Sequence, residues 1–320
     1  MADYELTLIT PNAESLTRQT GSTTTNPALL YLMTLGTKQS RDKVGRLLNL
    51  LAREFGFSDW RCCQWEKIRQ PEILALKTKW EIEGKSPSTI NLTLSVLKGV
   101  AHQAWSQQLI SDHEHAVISA IKGARGSRQP KGRALSTIES SRLIVGCELE
   151  NSVKGIRDAA ILALGIGCGL RRAEIASVKV SQLKTVEKAI LVLGKGNKER
   201  TVYCSDAVWQ RLQKWLVCRA NEEAGDWLFC SVTRGDRLRL NHPLTEDAIF
   251  KIIRQRAKAF GIEDFAPHDM RRTYATRLFD QGGDLHTVSK AMGHANVSTT
   301  QRYDKRGEDI VRRLSQQIPL

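Results

Sequence analysis

Between Gly123 and Arg133 the chain reads GARGSRQPKGR, a run with three Gly, one Pro, four basic residues and no large apolar side chain. No hydrophobic core can pass through such a stretch, so the apolar residues on either side must be buried separately. With 320 residues in all, each side is long enough to build a core of its own. The sequence therefore divides into a leader over 1–26, a helical domain over 27–122, a basic linker over 123–133, and a second domain with a C-terminal tail over 134–320.

The leader is polar and Thr-rich from Glu14 to Asn26 and lacks periodicity, which reads as flexible. From Pro27 to Lys122 the segments LLYLMTL, VGRLLNLLAREFGF, EILALKTKWEIEG and STINLTLSVLKGVAHQAW space apolar residues at three and four positions, the period of amphipathic helices. Ser86-Pro87-Ser88-Thr89 has the composition of a helix start, with Lys98 and His102 then sharing a face of that helix. In the second domain, Leu135-Ser136-Thr137-Ile138-Glu139 offers a capping-box entry, and Gly155–Cys168 (GIRDAAILALGIGC) is apolar enough for a central buried helix. AILVLG, KGNKER and TVYC read as strand, turn and strand. Helices are expected at about 206–221, 245–260, 268–281 and 284–292, with a last one beginning near Ser298 and carrying Tyr303. The class is mainly α with one small antiparallel β-sheet.

The net charge of +14 favours a polyanionic partner such as nucleic acid, although an uninvolved basic surface gives the same number. Residues up to 125 carry +3 of it and the remainder +11, so the second part is expected to bind phosphate most heavily. A basic linker can lie along a DNA backbone, letting the two domains close around a duplex, or it can be a solvated connector. No apolar run approaches the roughly 20 residues needed to span a bilayer, and the N-terminus lacks signal-peptide character, so no membrane partner and a cytoplasmic location are expected. Seven cysteines (Cys62, Cys63, Cys147, Cys168, Cys204, Cys218, Cys230) form no metal-like spacing and are expected to be buried, inert thiols.

Four stretches carry polar groups that a core would not ordinarily require. Gly169-Leu170-Arg171-Arg172-Ala173-Glu174-Ile175 places an Arg directly after the apolar helix, with Glu174 one helical turn on to orient it. A surface salt bridge would explain this pair equally well. Gly194-Lys195-Gly196-Asn197-Lys198-Glu199-Arg200 lies on the expected hairpin and is not a P-loop; it is either a solvated turn or a tip able to reach a DNA groove. His268-Asp269-Met270-Arg271-Arg272-Thr273-Tyr274 sets His268 and Arg271 three apart at a helix start, where phosphate is favoured and where a plain N-terminal cap is also common. Gly293-His294 with Thr299-Thr300-Gln301-Arg302-Tyr303 suits a helix end followed by a helix start, and a Tyr there is more often a surface residue than a nucleophile.

Taken in order and spacing, the four stretches resemble the tyrosine recombinases, or phage-type integrases, through GLRxxE, GKGNKxR, HxxRxxxAT and GHxxxxTTxxY over most of residues 134–305. Lys195 falls 24 residues after Arg171, and Tyr303 nine after His294, as in that family. The resemblance implies a helical core-binding domain followed by a tyrosine-recombinase catalytic domain. It makes Tyr303 the nucleophile, Arg171 and Arg271 clamps on the scissile phosphate, His294 a further donor, Lys195 the general acid and His268 a proton-transfer partner of the tyrosine. It departs at Arg272, where many members have His, and at Cys168, where Thr is common. The implied activity is site-specific recombination through a 3′-phosphotyrosine and a Holliday junction, for integration, excision or transposition of a mobile element. Alternatives are Xer-like dimer resolution, type IB topoisomerase-like relaxation, or a catalytically silent DNA-binding factor. The implied partners are double-stranded DNA recombination sites, a homotetramer on two paired sites and an accessory DNA-bending or directionality factor, with no cofactor and no metal. Thr89, Lys98, Lys198 and Arg272 are candidates for DNA contact, and the tail, with Ile310, Val311 and Leu314 at helical spacing, is expected to dock on a neighbouring subunit.

Overall fold

A computed structural model describes residues 25–126, 132–194, 199–219, 225–262, 265–294, 296–304, 307 and 315–316. Almost all of the expected leader, the centre of the linker and most of the C-terminal tail lie outside the described residues. The chain forms two compact units, Met1–Pro130 and Lys131–Leu320.

The first unit consists of five described helices: α1 (Pro27–Thr34), α2 (Lys38–Glu54), α3 (Gln70–Ile82), α4 (Pro87–Ser106) and α5 (Asp112–Ser119). α4 begins where the Ser-Pro signal puts it, with Pro87 in the first turn and the Ser86 hydroxyl accepting the Thr89 N–H at 3.1 Å. Its face Ile90, Leu94, Leu97, Ala101 and Ala104 recurs every three or four residues and meets Leu48, Leu51, Trp60, Trp65, Ile73 and Trp80 in one core. The start of α5 is held by a capping box between Ser111 and Glu114.

In the second unit, α6 (Thr137–Leu149) and α7 (Val153–Gly167) precede a short α8 (Arg172–Ser177). The antiparallel strands β1 (Leu183–Lys184), β2 (Ala189–Leu193) and β3 (Glu199–Tyr203) follow, with Leu193 opposite Glu199 at the end where the chain passes from β2 to β3. Next come α9 (Asp206–Arg219), β4 (Cys230–Val232), β5 (Leu238–Pro243), α10 (Glu246–Ala259), α11 (Pro267–Asp280), α12 (Leu285–Met292) and α13 (Ser298–Gln301). The β4–β5 pair is a second sheet, one more than the sequence pattern indicates. β4 has three residues and β5 is mostly exposed, so neither shows a readable apolar alternation. α13 is a single turn that stops short of Tyr303, which lies in the turn that follows. The expectation that a helix carries Tyr303 is corrected in that respect: the Tyr303 N–H is held by the Thr300 carbonyl at 2.9 Å.

α7 is the centre of this unit, buried at nearly every position from Gly155 to Ile166 and packed on α6, α9 and α11. That burial traps Arg157 and Asp158, at 4% and 1% exposure, and they are paired internally. Arg157 donates to Asp158 Oδ1 at 2.7 and 2.9 Å, Arg256 donates to Oδ2 at 2.8 Å, and Arg256 also pairs with Glu150. One carboxylate thus neutralises two buried guanidinium groups. Removing it in Asp158→Ala leaves Arg157 without a carboxylate and Arg256 with Glu150 alone, which is expected to cost about 3–5 kcal/mol of stability. The urea denaturation midpoint measures this; a midpoint close to that of the unaltered chain counts against the pairing.

Candidate active site

The site is assembled where the C-terminal ends of α7 and α12 meet the N-terminal half of α11. Pro267 opens α11, and the Asp269 carboxylate accepts the Ala266 N–H at 2.9 Å, fixing the first turn. Arg271, one turn on, is only 2% exposed and donates to the carbonyls of Gly169 and Met292, the latter at 2.7 Å. The Met292 carbonyl ends α12, where it lacks an intrahelical partner and carries the negative end of the helix dipole, and Gly169 follows the C-cap of α7. Gly169 takes φ +61°, and a Cβ there would lie 2.4 Å from the Tyr274 ring, so only glycine brings this carbonyl to the arginine. Burial and the neighbouring Arg171 pull Arg271 down to about 10, which still leaves it charged at neutral pH.

Arg171 stands at the N-cap of α8. It donates to Glu174 Oε1 at 2.7 Å and to the carbonyl of Gly293 at 3.0 Å, and its side chain remains 34% exposed, so solvent or a ligand can reach it. Gly293 ends α12 in the left-handed conformation, φ 61° and ψ 45°, which turns this carbonyl toward the arginine. Glu174 is 3% exposed and also receives Arg200 from β3 through two hydrogen bonds of 2.9 Å. Burial opposes the Glu174 charge, but the hydrogen bonds from Arg200 and Arg171 outweigh it and hold the carboxyl at about 2.

His294 follows Gly293. Its Nε2 lies 3.2 Å from Arg271 Nη2, and its Nδ1 lies 2.8 Å from Thr300 Oγ1. A guanidinium only donates, so Nε2 is the acceptor, and Nδ1 carries the proton that Thr300 accepts. Burial, then Arg271 and Arg171, push His294 down to about 4. His268 is likewise lowered, by burial and then by Arg271 and Arg272. Its Nε2 lies 2.9 Å from the Tyr303 hydroxyl, so a neutral His268 accepts the phenol proton. The Tyr303 ring is 6% exposed and packs with Ala275, Phe279, Val288 and Met292, while the Arg272 guanidinium lies 5.9 Å from its centroid.

Five of the six residues singled out for catalysis (Arg171, His268, Arg271, His294 and Tyr303) are therefore brought together. Lys195, like Lys198, lies outside the described residues. Of the candidate DNA contacts, Arg272 is 8% exposed and donates to the Gly132 carbonyl. Lys98 donates to the carbonyls of Ser119 and Ile121 at 2.6 and 2.7 Å, closing the end of α5. Thr89 is exposed in the first turn of α4. Arg200 and Thr300 escaped the sequence reading. Arg200 faces Glu174 because β3 sets it opposite the buried Val192, a register that only the structure gives; nothing in the sequence distinguishes Thr300 from Thr299. The expectation of uniformly buried cysteines is corrected, since Cys62 is exposed and Cys204 and Cys218 are half-buried. Among the described residues no three His, Cys, Asp or Glu side chains are grouped as a metal ion would need.

Without DNA, the depressed histidine makes stability depend on pH. Below the ordinary histidine pKa of about 6.5 the unfolded chain takes up a proton that folded His294 refuses until about 4. Stability is thus expected to be full above pH 6.5 and to decline as the pH falls toward 4. The separate loss from Glu174 begins only below the ordinary carboxyl range and runs toward about 2. Chemical denaturation across pH 7 to 4 should show a shallower decline for His294→Gln; an unchanged slope contradicts the assignment.

Residues 135–308 match the model of the phage integrase family. The chain is 28% identical over 239 residues to tyrosine recombinase XerC of Shewanella amazonensis, covering 75% of this chain and 77% of that protein. It is 32% identical over 244 residues to tyrosine recombinase XerD of Oceanobacillus iheyensis, with 75% and 78% covered. The Tn1549 transposon integrase, solved in complex with circular intermediate DNA, shares the fold at a TM-score of 0.64 and 18% identity, over 92% of this chain and 99% of that one. The motifs, their convergence on one buried cluster and these likenesses together establish that the chain belongs to the phage integrase family of tyrosine recombinases, enzymes that transfer DNA strands.

Proposed function

We propose that Tyr303 attacks a DNA phosphodiester, forming a 3′-phosphotyrosine and releasing a 5′-hydroxyl, and that the reverse step with a second DNA end completes site-specific recombination. The single observation that carries this reading is the 2.9 Å contact between the Tyr303 hydroxyl and His268 Nε2, within the same pocket as Arg271 and His294. A free phenol ionises near pH ~10, so attack at neutral pH needs an acceptor for its proton, and a neutral imidazole is one. As the phosphorus becomes five-coordinate, negative charge gathers on its non-bridging oxygens, and the forks of Arg171 and Arg271 match them. His294 adds a donor once Nε2 is protonated, and the approaching phosphate favours that by reversing the effect of the arginines. Lys195 delivers the proton to the departing 5′ oxygen. The tyrosyl ester retains the energy of the broken bond, so rejoining needs no nucleotide hydrolysis.

Exchange of one strand pair and then the other, through a Holliday junction, calls for four copies on two paired sites, with an accessory DNA-bending or directionality factor. The basic second part of the chain supplies the electrostatic attraction. DNA binding by Lys98 or Arg272 would compete with carbonyls those side chains already serve, whereas Thr89 is exposed at the start of α4. The proposed setting is cytoplasmic integration, excision or transposition of a mobile element. A second reading, Xer-like dimer resolution, is favoured by the sequence likeness to XerC and XerD. Mapping covalent protein–DNA adducts across the genome separates them: adducts at the ends of a mobile segment support the first, and adducts at a site unconnected with any such segment support the second.

Tyr303→Phe is expected to bind DNA and form no covalent adduct, and adducts persisting in that variant refute the nucleophile assignment. Arg271→Ala should lower cleavage by about 10²–10³-fold, as loss of one transition-state donor does. Single-turnover cleavage of a site recovered by adduct mapping measures this, and a loss under tenfold counts against the clamp.

A further inference from the structure

Two cysteines lie against each other directly behind the site, and the cleavage chemistry uses neither. Cys168 ends α7, is fully buried, and stands one residue before Gly169, whose carbonyl holds Arg271, and three before Arg171. Cys204 follows β3, the strand that carries Arg200, and is half-buried. Their Sγ atoms are 3.5 Å apart, with the Cys168 thiol donating to Cys204. That hydrogen bond favours a thiolate on Cys204 and holds its pKa below the usual thiol value, whereas the same bond and burial push Cys168 up. One thiol is thus reachable and readily ionised, and the other is buried and protonated, the asymmetry of an attacking and a resolving cysteine.

We propose that Cys168 and Cys204 form a peroxide-oxidisable dithiol whose disulfide switches strand cleavage off. The Cys204 thiolate attacks one oxygen of hydrogen peroxide; the O–O bond breaks, and the departing hydroxide is protonated to water, leaving a sulfenic acid. The Cys168 sulfur, losing its proton, then attacks the sulfenic sulfur, the S–S bond forms, the S–O bond breaks, and a second water departs. Two thiols are oxidised by two electrons and one peroxide is reduced to two waters. A disulfide requires the sulfurs to close from 3.5 Å to about 2.05 Å. The tightly packed end of α7 has little room to give, because Gly169 is pressed against the Tyr274 ring. The displacement therefore reaches the Gly169 carbonyl that orients Arg271, or β3 and the Arg200–Glu174 pair.

The test uses the full chain carrying Cys62→Ser, so that the exposed thiol forms no intermolecular bridge. After hydrogen peroxide, peptide mapping is expected to recover Cys168 linked to Cys204, reversible by dithiothreitol; recovery of the two cysteines unlinked overturns the proposal. The effect on activity rests on the recombinase reading, and is followed as cleavage of a DNA site recovered by adduct mapping. Oxidation should lower cleavage roughly 100-fold, the scale of an ångström-level misplacement of catalytic groups. Adding Cys204→Ser should make cleavage resistant to peroxide. A disulfide that forms without slowing cleavage overturns the switch, whereas reduced protein that never cleaves indicts the recombinase reading and leaves the mapping result to judge the dithiol.

Discussion

A guanidinium that is 2% exposed persists as a cation only if its surroundings provide negative charge, and Arg271 obtains it from the backbone. Its partners are the carbonyl of Met292, which ends α12, and that of Gly169, just past the C-cap of α7. The same bonds that satisfy the helix ends fix the arginine, and the arginine in turn ties two helices together behind one point. Most of the site geometry follows from that contact, because Arg171 and His294 flank the same two chain reversals, Gly169 and Gly293.

Glu174 performs the matching task for the other arginines. One carboxylate receives both Arg171 and Arg200, which links α8 to the start of β3. Three guanidinium groups thus face one another with a single carboxylate and several carbonyls among them. Burial, and then the residual positive potential, lower both His268 and His294 and so favour their neutral forms in the absence of DNA. A bound anion such as a phosphate relieves this repulsion, and its arrival would shift both imidazoles toward the protonated form. The electrostatic cost of gathering the cations is therefore also what makes the site attractive to an anion.

Much of this was legible in the chain itself. The capping residues at Ser86 and Ser136 locate helix starts with little ambiguity, because a hydroxyl bonding an N–H three residues on is a local interaction. The apolar run after Gly155 announces a buried helix, and Gly293 announces a helix end. The β4–β5 pair was not legible, since short, exposed strands bury too little to leave a period. Arg200 and Thr300 were missed because their roles depend on partners 26 and 6 residues away whose proximity no local pattern encodes. Arg272 was read as facing DNA, yet it is enclosed and bonded to the chain just before α6, a contact spanning 140 positions.

The amino-acid sequence by itself determined the division into two parts, the helical character, and the identity and order of the phosphate-directed side chains, since propensity, capping and motif spacing act over a few residues. Tertiary structure alone decided that His268 meets the Tyr303 hydroxyl, that Glu174 serves two arginines, and that Cys168 touches Cys204. Those pairings join residues as many as 36 positions apart. They exist only because the buried α7 fixes where the ends of its neighbours fall, a packing constraint that no stretch of sequence carries on its own.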